Sequence, residues 1–186
     1  MESVGNLVDD LPLAAVSQPL GDVPKVSIGT YRIGGETKMA ILDHPDGSID
    51  WSLPVLPKNS SLEFVTAVAP NCAGTGPGVR FQVTVREGST DRVIFDYLES
   101  NRASATSERW ISHEVDLSDL ASRSVNLVFR TKPGLDGDYT CAWALWGSPM
   151  VVAQHAVVDV RSDMPFRQML PGRVANLLLW AMKQGG

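Results

Sequence analysis

The protein has 186 residues, which is the size of one domain with an additional segment. Its net charge of −5 argues against a nucleic-acid partner, because phosphates require a concentrated positive surface. A hydrophobic content of 44% excludes a disordered chain, and the longest apolar run, residues 177–182, is far shorter than the roughly 20 residues of a membrane span.

The first 25 residues are interrupted by three prolines, Pro12, Pro19 and Pro24. Because no helical or strand periodicity persists between them, the sequence predicts an extended N-terminal arm, residues 1–25, that lies against the rest of the chain or stays mobile. The first ten residues contain three acids and no Lys or Arg, which is not typical of a secretory leader.

Short runs of alternating apolar and polar residues occupy the middle of the chain, residues 26–153. The clearest run places Val79, Phe81, Val83 and Val85 on one face of a strand. A glycine-containing turn and a second apolar run follow it, which predicts a hairpin. Such strands bury their apolar faces when two antiparallel sheets stack, so we expect an all-β sandwich. Further strands are predicted near residues 60–68, 110–115, 125–131, 141–146 and 150–153.

After residue 153 the periodicity becomes helical, and a C-terminal helical segment, residues 154–186, is predicted, with its main helix from Pro171 to about Lys183. From Asp163 onward this segment has three basic residues and one acid, whereas the rest of the chain is acidic. The helix is apolar on nearly all sides, so we expect it to fold back on the sandwich, dock into a partner protein or lie in a membrane interface. The residues assigned to docking are Phe166, Leu170, Val174, Leu177, Leu178 and Trp180.

Several segments recur in the same order in a known group of modules. They are LDHPDGSIDW at residues 42–51, the strand at 62–68, GVRFQV at 78–83, WISHEVDLS at 110–118 and AWALWGSP at 142–149. In these segments the chain resembles jelly-roll modules of the galactose-binding-like, carbohydrate-binding-module-like type. The resemblance implies an antiparallel jelly-roll β-sandwich over residues 26–153. Modules of this group are attached to glycoside-processing and membrane-linked enzymes, where some bind sugars and others only hold neighbouring domains together. The resemblance therefore implies one of these two roles.

A sugar site combines an aromatic ring, which stacks on the apolar face of a sugar, with polar side chains for the hydroxyls. Trp143 and Trp146 point to opposite faces of one strand because their offset is odd. Trp146 is predicted to lie near a loop, whereas Trp143 and Trp110 are predicted to fill the core. The predicted sugar-binding residues are His44, Arg130, Asp138, Tyr139 and Trp146.

The resemblance further implies one structural calcium ion, which requires six to eight oxygen ligands. The candidate ligands are Asp43, Asp46, Asp50, Asp136 and Asp138. Tight-turn chemistry also explains the Asp-Gly pairs at 46–47 and 136–137 without a metal, so both interpretations stay open. No other cofactor is expected. The spacing of Cys72 and Cys141 matches neither a zinc-binding nor a redox motif. Whether these two cysteines form a disulfide is left open by the sequence.

The sequence predicts that the protein is not an enzyme. Its three histidines, His44, His113 and His155, accompany no nucleophile motif and no paired acids. The predicted function is a non-catalytic accessory module that docks onto a larger complex through its termini and sandwich surface. A carbohydrate-binding module is the alternative. Expected partners are proteins or a glycan, with peripheral membrane contact favoured and the cellular compartment left open.

Overall fold

The computed structural model describes residues 2–17, 26–72, 75–100 and 109–153, all within one compact unit, Met1–His155. Eleven strands lie in these ranges: β1 Glu2–Asn6, β2 Ala15–Ser17, β3 Val26–Ile33, β4 Glu36–Asp43, β5 Ser48–Leu53, β6 Ser60–Val68, β7 Val79–Glu87, β8 Thr90–Glu99, β9 Ile111–Asp116, β10 Val125–Pro133 and β11 Ala144–Ala153. Short 3₁₀ turns occupy Leu11–Leu13, Pro70–Cys72, Ser118–Leu120 and Leu135–Gly137.

The strands form two antiparallel sheets. Sheet A has the order β3-β4-β11-β6-β9, with β1 alongside the second half of β11, and sheet B has the order β2-β5-β10-β7-β8. Every described strand pair is antiparallel. The predicted all-β sandwich is therefore confirmed.

The inner faces of the two sheets form one continuous core. Val79, Phe81, Val83 and Val85 are all fully buried, as their alternation predicted. Aromatic rings join the two sheets at the centre, where the Trp146 ring lies 4.9 Å from Phe81 and 4.6 Å from Phe129. Burial of each such side chain stabilises the fold by roughly 1.5–3 kcal/mol. The hairpin predicted after β7 is present, since Glu87 pairs with Thr90 across a two-residue turn.

The N-terminal arm lies against the sandwich as two strands over its described residues, 2–17. Strand β1 pairs with β11 from Glu2↔Ala153 to Asn6↔Met150, and β2 pairs with β5 in the opposite sheet. The chain thus crosses from sheet A to sheet B between residues 7 and 14. Leu7 and Val8 are buried along this crossing.

Strand β11 contains a register shift and carries Trp146. The two strands predicted at 141–146 and 150–153 are one strand, whose register shifts between Gly147 and Met150. Trp146 points inward and is 0% exposed, so its predicted place near a loop is wrong. Its indole Nε1 donates to the buried Thr131 hydroxyl at 3.2 Å, which satisfies the polar atom inside the core.

The outer face of sheet A carries a second, smaller apolar cluster. Its buried members are Ile33, Ala40, Ala67, Ala69 and Leu145, and the half-buried Trp110 and Trp143 pack against them. Trp110 and Trp143 were predicted to fill the core. Trp110 instead lies outside it, over Gly147, whose place a larger residue could not take without striking the Trp110 ring and Val65. Trp143 contacts both clusters.

The predicted C-terminal helix, with its docking residues Phe166, Leu170, Val174, Leu177, Leu178 and Trp180, lies outside the described residues. Among the described parts of the chain, no helix has the length and apolar character needed to cross a membrane.

Candidate functional site

Three loops meet at one end of the sandwich. Asp43 at the end of β4 and Val68 at the end of β6 both pair with Ala144, the first residue of β11. Pro133 at the end of β10 pairs with Val79, the first residue of β7. The β4–β5, β6–β7 and β10–β11 loops are consequently neighbours.

A disulfide holds two of these loops together. Cys72 in the β6–β7 loop is bonded to Cys141 in the β10–β11 loop, 69 residues further along the chain. The same two loops touch where Gly76, at φ +79°, lies against the Thr140 carbonyl with no space for a side chain. The sequence left open whether Cys72 and Cys141 form a disulfide, and in the structure they do.

Backbone hydrogen bonds fix the β4–β5 turn against strand β10. The Asp46 N–H donates to the Thr131 carbonyl at 2.8 Å, and the Gly47 N–H donates to the His44 carbonyl at 3.1 Å. Asp46 takes the left-handed conformation, with φ +61°, which Asp adopts more readily than most residues. Its carboxylate is therefore held at the exposed tip of the turn.

Four side chains from these loops form what we term the loop-end cluster: His44, Asp46, Tyr139 and Trp143. The Tyr139 hydroxyl donates to the Asp46 carboxylate, and its ring stays 49% exposed. The hydrogen bond to Asp46 is the main reason that the pKa of Tyr139 is raised. His44 packs on Trp143 with ring centroids 4.7 Å apart. The β4–β5 turn thus carries a carboxylate that is hydrogen-bonded to one aromatic side chain and an imidazole that packs on another.

Two buried carboxyl groups lie at this end of the sandwich, Asp43 on β4 and Glu99 on β8. They are 0% and 1% exposed, and none of their oxygens has a hydrogen-bonding partner of standard geometry among the described residues. Burial raises the pKa of Asp43 to about 7, an effect that the neighbouring Thr131 hydroxyl opposes. Burial likewise raises the pKa of Glu99 to about 7.

Two solved structures with similar folds are carbohydrate-binding modules. A CBM51 module from a Clostridium perfringens GH95 protein, solved with methyl-galactose, matches with a TM-score of 0.53 at 20% identity, covering 74% of this chain and 92% of that one. TmCBM61, solved with beta-1,4-galactotriose, matches with a TM-score of 0.53 at 12% identity, covering 83% of this chain and all of that one. The fold of this chain is therefore a β-sandwich similar to that of these two modules.

By sequence, the chain matches no family model. An uncharacterized protein of Archaeoglobus fulgidus is 31% identical over 130 residues, which are 66% of this chain. The chain spans about a third of that relative's length, since the match covers 33% of it.

The structure brings together part of the predicted sugar-binding set. His44, Asp138 and Tyr139 lie in the loops at one end, and Asp138 accepts a hydrogen bond from the Thr140 N–H at 2.8 Å, which lowers its pKa. Arg130 is not near these loop residues, because it lies on the outer face of sheet B. Its guanidinium donates a hydrogen bond to the Asp91 carboxylate at 2.5 Å. Trp146 is in the core, as described above.

Two members of the loop-end cluster were absent from the predicted sugar-binding set. Asp46 was assigned to calcium alone, and Trp143 was assigned to the core. The odd offset between Trp143 and Trp146 correctly separated the two side chains, since Trp146 is fully buried and Trp143, just before β11, is only partly buried. The neighbouring even-numbered residues Ala142 and Ala144 are fully buried, and they share the parity of Trp146 rather than that of Trp143.

The acids predicted to bind calcium are not arranged as a cage. Asp50 pairs with Arg86 at 2.6 Å on sheet B, Asp46 accepts from Tyr139, and Asp43 is enclosed in the core. Within the described ranges, no group of three or more His, Cys, Asp or Glu side chains is placed to hold a metal ion. The side chain of Asp136 lies outside the description. The described acids therefore do not fit a calcium ion.

The histidines do not form a reaction centre among the described residues. His113 is surrounded by the rings of Phe64, Phe95 and Tyr97, and its Nε2 is hydrogen-bonded to the Thr66 hydroxyl at 2.9 Å. Burial lowers the pKa of His113. His44 packs on a tryptophan, and His155 lies outside the described residues.

A separate groove of about 600 Å³ lies along strands β9, β6 and β11 of sheet A. Glu63 and Glu114 face each other across its strands in direct register, and like charges so placed repel each other. Its one phenylalanine, Phe64, is only 3% exposed. This groove thus lacks the exposed aromatic face that the loop-end cluster offers.

Proposed function

We propose that this galactose-binding-like sandwich is a non-catalytic carbohydrate-binding module that binds a galactose-type glycan at the loop-end cluster. The observation that carries the proposal is the half-exposed ring of Tyr139, oriented by its hydrogen bond to Asp46 and placed near the His44–Trp143 pair. Stacking on such a ring and hydrogen bonds to the neighbouring carboxylate and imidazole are how proteins hold sugars.

The neighbouring structures support this choice of ligand. The CBM51 module was solved with methyl-galactose and TmCBM61 with beta-1,4-galactotriose. The accessory role was predicted from both termini and the sandwich surface, and no observation on the described residues supports docking onto a complex. Because the neighbouring structures are carbohydrate-binding modules, the carbohydrate-binding alternative takes the place of the assembly role as the preferred function, with a glycan as the expected partner.

Calorimetric titration with beta-1,4-galactotriose and methyl-galactoside tests the proposal. We expect measurable binding, weakened roughly tenfold by Tyr139→Ala because the stacking surface is lost. Tyr139→Phe keeps the ring but loses the hydrogen bond to Asp46. Its affinity should therefore lie between that of the unaltered protein and that of Tyr139→Ala.

Tyr31→Ala is the matched control, since Tyr31 is a partly buried tyrosine of the outer cluster on sheet A and is not a member of the loop-end cluster. Its affinity should equal that of the unaltered protein. The proposal fails if neither galactoside binds, or if Tyr139→Ala binds galactotriose as tightly as the unaltered protein does.

A further inference from the structure

Strand β3 forms an edge of sheet A, and among the described strands it pairs only with β4. Its eight residues, VSIGTYRI, include one charged side chain, that of Arg32. An edge strand exposes unpaired backbone N–H and C=O groups, and proteins usually protect such edges with charges, bulges or very short strands. Strand β3 is long, regular in register and nearly uncharged, so it has little of this protection.

The other free edges in the described parts of the chain are protected. Strands β1 and β2 have only five and three residues, and β1 also has a register shift. Strand β9 carries Glu114 and Asp116. Strand β8 carries acidic residues together with Arg92, and its register against β7 shifts between Val83 and Thr84. Of these edges, β3 is therefore the one best suited to accept another strand.

The turn between β3 and β4 determines which backbone groups of β3 are unpaired. Ile33 faces Glu36 across a two-residue glycine turn with both φ angles positive, so these two residues form a hydrogen-bonded pair. Hydrogen-bonded and non-hydrogen-bonded pairs alternate along an antiparallel ladder, which makes Thr30 and Met39 a non-hydrogen-bonded pair. The Met39 carbonyl agrees with this alternation, because it accepts from the Ser148 hydroxyl of β11 at 3.5 Å instead of facing β3.

The same alternation makes the outward-facing backbone groups of β3 symmetric about Gly29. The residues whose N–H and C=O point to the free edge are Val26, Ile28, Thr30 and Arg32. They lie three and one positions before Gly29, and one and three positions after it. A twofold axis at Gly29 therefore places Ile28 opposite Thr30 of a second copy. It also places Val26 opposite Arg32, so that each copy donates four hydrogen bonds and accepts four.

Gly29 suits the position on this axis. Residues of a non-hydrogen-bonded pair approach to roughly 4.5 Å between Cα atoms, and Gly29 has no side chain that obstructs the approach. The Tyr31 ring of the same strand already covers Gly29, since a Cβ placed there would lie 2.9 Å from the ring. Beside the axis, Ile28 is 44% exposed and Thr30 is also exposed, and cross-strand pairing would cover both side chains.

We propose that two copies of this chain associate through β3, as an antiparallel pair of strands that is centred on Gly29 and joins their A sheets. The partner is a second copy because the donors and acceptors of this edge are complementary to themselves about Gly29. The interface is distinct from the proposed glycan site, since β3 contributes no residue to the loop-end cluster.

Sedimentation velocity over protein concentrations from about 1 μM to about 1 mM tests the association. We expect the sedimenting mass to double as the concentration rises. Ile28→Lys should weaken dimerisation roughly tenfold or more, because it places two like charges beside the axis. Val93→Lys is the matched control, since Val93 is a similarly exposed apolar residue on β8, the edge strand of the other sheet. It should dimerise as the unaltered protein does.

Single cysteine substitutions test the register of the paired strands. In the proposed dimer the two copies of Gly29 lie opposite each other, within the Cα separation that a disulfide spans. Gly29→Cys should therefore form an intermolecular disulfide under mild oxidation, with the far end of the Tyr31 side chain moving aside. Ser27→Cys is the control on the same face of β3. Its two copies are four positions apart in this register, roughly 14 Å, and should not form a disulfide.

The proposal is overturned if the unaltered protein stays monomeric over the whole concentration range, or if Ile28→Lys dimerises as tightly as the unaltered protein. It is also overturned if Gly29→Cys forms no more intermolecular disulfide than Ser27→Cys. The unaltered protein and the two cysteine variants decide the outcome even if Ile28→Lys does not fold.

Discussion

Asp43 shows how one residue ties the loops to the core. Its carboxyl group is buried under the β4–β5 turn, so close to Gly47 that a side chain there would collide with it. Desolvation by burial outweighs the opposing hydrogen bond from Thr131 and raises that pKa from 3.8 to about 7. The turn that carries His44 and Asp46 therefore packs on a group that prefers to be neutral.

This raised pKa predicts a pH dependence of stability. The folded protein binds the Asp43 proton up to about pH 7, whereas the unfolded chain releases it near 3.8. Stability contributed by the neutral form is thus present at low pH and is lost as pH rises between these values, by an amount on the order of 3 kcal/mol. Urea unfolding at about pH 5 and about pH 8 measures this effect. The difference in the free energy of unfolding between the two pH values should be smaller for Asp43→Asn than for the unaltered protein.

Glu114→Gln is the control for this measurement, since Glu114 is an exposed carboxyl group on β9. It should leave the pH dependence unchanged. Part of the dependence should also persist in Asp43→Asn, because Glu99 is buried and its pKa is likewise raised to about 7. An Asp43→Asn variant with the full pH dependence of the unaltered protein would contradict this account.

At the scale of elements, the strands that alternate strictly were predictable and the irregular ones were not. Strand β7 was predictable because Val79, Phe81 and Val83 alternate with polar residues, and tertiary burial agrees with that pattern. Strands β1 and β2 were missed because they are only five and three residues long and Pro12 lies between them. Pairing with β11 and β5 stabilises these two short strands, whose own sequences do not indicate a strand.

The candidate site was only partly predictable for a related reason. Tyr139 and His44 were found because turn-forming residues around them indicate loops. Arg130 points to the outer face of sheet B because it alternates with the buried Phe129 and Thr131, and the sugar-site prediction did not take this alternation into account. Its ion-pair partner Asp91 is 39 residues away, so no local pattern identifies that pair. The place of Trp146 depends on the parity of β11, and its sequence neighbours Gly147 and Pro149 misleadingly suggested a loop.

The disulfide is the element-scale feature with the clearest consequence. Cys72–Cys141 closes a chain separation of 69 residues, which corresponds to about 4 kcal/mol of stability in the chain-entropy model. The variant with both cysteines replaced by serine should lose stability of that order in urea unfolding. It should also bind galactotriose less tightly, because the loop that carries Tyr139 is no longer tied to its neighbour.

A reducing agent is the control for the disulfide. It should lower the free energy of unfolding of the unaltered protein by about as much as the double replacement does. It should not change the free energy of unfolding of the double variant. Equal stability of the oxidised and reduced protein would contradict the structural role of the Cys72–Cys141 bond.

At the scale of the whole molecule, the loop-end cluster lies at the end of the sandwich where β4, β6 and β10 end. The core between the two sheets contains the aromatic rings of Phe81, Phe129 and Trp146. Packing in this core fixes the strands from which the loops of the cluster extend.

The central claim is that a galactose-type glycan binds at the loop-end cluster. Its most direct test is an NMR titration of the ¹⁵N-labelled protein with beta-1,4-galactotriose, following assigned backbone and indole N–H signals. We expect the largest shifts at residues 43–47 and 138–143, including the indole of Trp143. Shifts confined to the groove between Glu63 and Glu114, or no shifts at any concentration, would contradict the account.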